Sequence, residues 1–105
     1  MGDRISVQFK DVGGDNSVVI FSHWGGQEFL KFSKDFIEDM RSNNSLWQRS
    51  SGEVAAVFIA QCWKEGHEVY VEKDVFSGDN SDNGNYLYNI EKDTWKKHNP
   101  KYKGE

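Results

Sequence analysis

The sequence is poor in cysteine. Cys62 stands alone, so no internal disulfide is possible and nothing points to an oxidising compartment. No apolar run comes near the ~18 residues that a membrane span requires. No charged-then-apolar leader of the secretory kind is evident. A cytoplasmic location without a membrane partner is expected. Basic charge is also short, with 13 Lys and Arg against 17 Asp and Glu and a net charge of −4. That balance disfavours general binding to duplex nucleic acid, whose phosphates need a basic field. Leu, Ile, Val and Phe nonetheless make 24 of the 105 residues, above the ~20% level below which disorder prevails. One small domain with an aromatic-rich core is expected over residues 1–97, followed by a flexible basic tail over 98–105.

What is present falls into short periodic blocks. Ile5, Val7 and Phe9 alternate with Arg4, Ser6, Gln8 and Lys10, which predicts a half-buried strand. Gly13-Gly14-Asp15-Asn16 reads as a turn. Val18 to Phe21 is a continuous apolar run, which fits a strand covered on both faces and pairing with the first as an antiparallel hairpin. Phe29, Phe32, Phe36 and Met40 then recur at helical spacing, with Ile37 beside them. They predict a helix from near Gln27 to near Arg41, with Ser33 as an alternative internal N-cap. Ser42-Asn43-Asn44-Ser45 closes it, and Leu46 and Trp47 are expected to tuck back onto the core.

Ser50 and Glu53 have the spacing of a capping box. Beyond them Val54, Val57, Phe58 and Cys62 line one face, and Ala55, Ala56, Ile59, Ala60 and Trp63 widen it. A helix apolar almost all round is expected to be buried at the centre of the core, and Gly66 is placed to end it. Val69, Val71 and Val75 restore an alternating, inward-facing pattern. Ser77 to Asn85 is polar and holds Asn83-Gly84, which reads as a solvated hairpin loop. Tyr86, Tyr88 and Ile90 predict another strand, Glu91 to Thr94 a turn, and Trp95 a short return. The order β-β-α-α-β-β predicts an α+β domain, its antiparallel sheet packed against two helices.

The most unusual stretch is Ser22-His23-Trp24-Gly25-Gly26, at the hand-over from strand to helix. Paired glycines turn the backbone sharply and leave amides open to a ligand. A helix start adds orphan N–H donors and the positive end of the dipole. His23 can exchange a proton near neutral pH, and Trp24 offers a stacking ring. Ser22, His23, Trp24, Gly25, Gly26 and Gln27 are therefore the candidate ligand-binding residues, with a small anionic ligand or a partner protein as occupant. The competing reading makes the turn purely structural, with both rings packed. The Lys-Ser/Thr ending of a phosphate-binding loop is absent.

A strand, His-Trp-Gly-Gly, a helix, a later Trp (here Trp47) and a second apolar helix resemble a group of small phage and prokaryotic proteins that carry Thr-His-Trp-Gly-Gly. The resemblance spans roughly Val18 to Cys62. Ser22 replaces the Thr, and the acidic residues that usually follow the later Trp are missing. It implies a compact α/β protein of mobile-element origin and transfers no catalytic residue.

Three other features invite chemistry. Asp79, Ser81 and Asn83 imitate the start of a calcium loop with Gly84 at its sixth position. The twelfth position is Ile90, so the bidentate carboxylate is out of register. Cys62 with His23, His67 and His98 lacks the clustered pairs of a zinc site, and Cys62 falls on the inner face of the apolar helix, as a core thiol does. His67 reads as a surface residue opening a strand. Lys92, Lys96, Lys97, Lys101 and Lys103, with Trp95 and Tyr102, suit either a single-strand contact or a solubilising tail. No cofactor is implied. A non-enzymatic binding protein working through residues 22–28 is the leading expectation. The alternatives are a hydrolase or transferase with His23 as general acid/base and Glu28 orienting it, and an acidic interaction or inhibitor protein.

Overall fold

The computed structural model describes residues 3–44 and 46–98, which form five strands and two helices. The first strand, β1 (Ile5–Lys10), buries Ile5, Val7 and Phe9 on one face as its alternation demands. Ser6 on the other face is fully buried as well, so the expected half-buried strand is corrected to one covered on both faces there. A turn follows, in which Gly14 takes a φ of +91°. β2 (Val19–Ser22) then returns antiparallel with Ile20 opposite Val7. Helix α1 (Gly26–Ser42) buries Phe29, Leu30, Phe36, Ile37 and Met40. Ser33 is no cap: its buried hydroxyl donates to the Phe29 carbonyl at 2.8 Å within the helix.

Helix α2 (Ser51–Lys64) starts on the capping box, with the Glu53 amide donating to Ser50 Oγ and the Ser50 amide to Glu53 Oε1. It stops at Gly66, whose φ of +86° lets the His67 amide donate to the Cys62 carbonyl at 2.7 Å. Phe58 sits at the aromatic centre, its ring 5.1–5.7 Å from those of Phe9, Phe29 and Phe36. The expectation of an all-round buried helix is corrected. Val54, Ala55, Phe58 and Cys62 are buried, but Val57 is 44% and Trp63 53% exposed. In a two-layer domain the outer side of the helix layer has nothing to pack against. Trp47 is likewise exposed, although Leu46 beside it is buried.

The last three strands are β3 (Tyr70–Glu72), β4 (Asn85–Asn89) and β5 (Thr94–His98). The sheet order is β3-β2-β1-β4-β5. It is mixed: β1 pairs parallel with β4, and the other three pairings are antiparallel. An all-antiparallel sheet is thus corrected, and so are the hairpin loop and the order β-β-α-α-β-β, to which the return at Trp95 adds β5 as a fifth strand. β3 and β4 are not neighbours. The chain between them passes β2 and β1 across the face opposite the helices, and a connection of that kind delivers β4 parallel to β1.

The crossing is anchored by buried polar groups. Asn80 donates to Ser6 Oγ at 3.0 Å and to the Val75 carbonyl at 3.2 Å, and Asn85 donates to the same Ser6 Oγ at 2.9 Å. Gly78 lies against the Phe21 ring, where a Cβ would come within 2.8 Å. Val71, on the edge strand, is half exposed, while Val69 is buried. His98 belongs to β5 rather than to a tail. The rest of the expected tail, including Pro100, Lys101, Tyr102 and Lys103, lies outside the described residues.

Candidate functional site

Ser22 ends β2 buried, and its Oγ accepts the Gly25 amide at 3.1 Å. Gly25 must be glycine for steric reasons: a Cβ there would stand 2.4 Å from Phe29 Cβ and 2.8 Å from Ser22 Oγ. Gly26 takes a φ of +50°. Its amide donates to the Asp3 carbonyl at 2.9 Å, and the Asp3 amide donates to the His23 carbonyl at 2.9 Å. Asp3 therefore clamps the turn from both sides. This corrects the expectation that the paired glycines leave their amides open to a ligand, because Ser22 Oγ holds the Gly25 amide and the Asp3 carbonyl holds that of Gly26.

Both rings of the turn are exposed, Trp24 to 72%. They do not converge. Trp24 and Glu28 line a hollow of about 270 Å³ with Ser22, Gly25, Gly66, His67 and Glu68. The His23 ring lies over Tyr70 at 5.2 Å, and Tyr70 in turn stacks on Phe21. Gln27 reaches the crossing segment, donating to Asn83 Oδ1 at 3.2 Å. The imidazole in the hollow is thus His67, which sequence reasoning placed on the surface. Its signal was Gly66: the left-handed cap folds the following residues back beside the start of α1.

A larger groove of about 390 Å³ runs between the helices. It is lined by Phe32, Asp35, Phe36, Asp39 and Met40 of α1, Asn43 and Arg49 of the connection, and Val57 and Gln61 of α2. Its lining cation, Arg49, lies 3.6 Å from Glu53, and Lys31 pairs with Asp35 at 3.0 Å. The groove depends on how the helices pack, so no local motif announced it.

The remaining candidates have structural roles. Asp79 accepts from the Ser81 amide and hydroxyl and faces Arg4 Nε at 2.7 Å. Asn83 is engaged by Gln27 and the Arg4 carbonyl. An arginine thus stands against the carboxylate that a calcium ion would need. Among the described residues no group of three or more His, Cys, Asp or Glu is placed to hold a metal ion. Burial pushes the Cys62 thiol up to about 12, so it stays protonated at neutral pH and is no nucleophile. Burial, then the neighbouring Asp93 carboxylate, also pushes the Tyr88 hydroxyl up to about 12. That hydroxyl donates to Asp93 and accepts from Arg41, tying the end of α1 to the β4–β5 turn.

No helix among the described residues is long and apolar enough to cross a membrane. No protein-family model matches the chain, and no curated protein sequence or solved structure matches it either.

Proposed function

We propose that the chain is a binding protein that engages a partner protein through the face built by Trp24, Glu28, His67 and Glu68. The observation that carries this reading is Trp24, a large ring 72% exposed at the mouth of a hollow. The turn beneath it is held by Ser22 and Asp3. Aromatic side chains on fixed backbone anchor interfaces because they bury much area at little entropy cost. A small phosphorylated ligand is served less well. Glu28 and Glu68 line the same hollow, and their charge repels a phosphate. A hydrolase or transferase would need His23 oriented by Glu28, whereas His23 lies over Tyr70 and Glu28 lines the hollow with Trp24. A cytoplasmic setting and a mobile-element origin go with the proposal, the origin resting on the Ser-His-Trp-Gly-Gly resemblance alone.

The test replaces Trp24 by a photo-crosslinking phenylalanine analogue and irradiates the protein in extract of its native host. One discrete adduct is expected, competed away by excess wild-type protein but not by a Trp24→Ala variant of unchanged Tm. Equal competition by that variant would exclude the reading. Saturable shifts of the Gln27 and Glu28 amide resonances with inorganic phosphate would favour the anionic ligand instead.

A further inference from the structure

The hollow at Trp24 and the groove between the helices form one surface. Phe32 lines the groove, His67 lines the hollow, and their rings touch with centroids 4.3 Å apart. Glu28, Phe32, Asp35 and Asp39 follow one another at steps of four, three and four along α1, and Phe36 lies four residues after Phe32, so they share a face. The other wall is α2 at Gln61, continued by His67 and Glu68. From Glu28 to Asp39 is eleven residues, about 16 Å at 1.5 Å per residue.

Taking the partner-binding reading as its basis, we infer that the partner presents a basic amphipathic helix lying lengthwise in this surface. The floor is apolar, made by Phe32, Phe36, Met40 and Val57, with Val57 44% exposed. The α1 wall is acidic: Glu28, Asp35 and Asp39 lie along it and Glu68 adds a carboxylate at the hollow, while Asp35 also pairs with Lys31 and the lining cation Arg49 faces Glu53. A helix with one apolar stripe and Lys or Arg along the flank that meets α1, spaced over about three turns, satisfies the floor and the acidic wall together. An acidic segment or a nucleic acid would be repelled. A second copy of this chain fits poorly, because a two-fold pairing of this face would set Asp35 and Asp39 against their own equivalents.

The probe is a synthetic Leu/Lys peptide of about 18 residues with helical periodicity. Its comparators are a scrambled peptide of identical composition and a version with Glu for Lys. Amide-resonance mapping is expected to place the shifts on Glu28, Phe32, Asp35, Phe36, Asp39, Val57 and Gln61. Val57→Glu and Asp39→Lys, both at exposed positions, are expected to weaken binding about tenfold or more with Tm retained. The inference is overturned if the helical peptide fails to bind at about millimolar concentration. It is equally overturned if the scrambled peptide binds as tightly, or if the shifts fall elsewhere. A sedimenting dimer lost in Val57→Glu would assign the face to a second copy. An adduct from position 24 that persists unchanged in both groove variants would sink the groove and leave the loop reading standing. Peptide mapping on the groove with no specific adduct at position 24 would do the reverse.

Discussion

The Asp11 carboxylate, in the turn after β1, accepts the Ser51 amide at 2.9 Å with one oxygen and the Asp15 amide at 3.0 Å with the other. One side chain thus closes its own turn and caps a helix forty residues further along the chain. These bonds, Ser51 first, hold the Asp11 carboxyl below its ordinary value. A pKa lower in the fold than in the unfolded chain stabilises above the ordinary carboxylate value of about 3.9. That stabilisation is lost as the pH falls through the lower, folded value. Asp11→Ala is therefore expected to lower Tm at neutral pH, with the gap to wild type closing as the solution is acidified through that window. A gap that stayed constant with pH would show that the ionised carboxylate is not what matters.

Phe58→Ala is expected to cost roughly 3–5 kcal/mol, read from denaturant unfolding, because it removes a ring in contact with Phe9, Phe29 and Phe36. Its neighbour supplies the control. Val57→Ala, on the exposed side of the same helix, is expected to stay within about 0.5 kcal/mol.

The two glycines of the Trp24 turn should fail through stability before binding. Gly25→Ala drives a Cβ into Phe29, and Gly26→Val forces a branched side chain to positive φ against Asp3 Cγ at 2.8 Å. A loss of roughly 1–3 kcal/mol each is expected. If Gly26→Val left Tm intact while abolishing binding, the amides of the turn would contact the ligand after all.

Calcium is expected to leave Tm unchanged at millimolar concentration, since Arg4 occupies the Asp79 carboxylate. A saturable rise that Asp79→Ala removed would reverse this.

Much of the local structure was legible. The alternation around Val7, the helical spacing from Phe29 to Met40, the Ser50–Glu53 box and the Gly66 stop each depend on neighbours in sequence, and each stands where expected. The pairing of β1 with β4 was not. Alternation says which face a residue takes and is silent about which strand lies beside it. Val57 misled for a related reason: composition cannot tell an apolar residue under a second layer from one left bare. At the site, Trp24, Gly25 and Gly26 were visible as local oddities. Gly66 marked where the chain turns back at His67, whereas the inter-helical groove exists only once the helices have docked.

The parallel pairing has a consequence in time. β1 is the first strand in the chain and the middle strand of the sheet, and Ser6 meets its partner Asn85 across a separation of 79 residues. Closing so long a loop costs entropy before any contact returns it. Folding is therefore expected to be slower than in helical proteins of similar size, with the arrival of β4 as the late event. Before that event the β1–β2 hairpin and both helices can assemble, leaving one edge of β1 as a row of unpaired amides and carbonyls. Such an edge invites strands from other molecules. The dangerous species for aggregation is then the nearly finished protein rather than the unfolded chain.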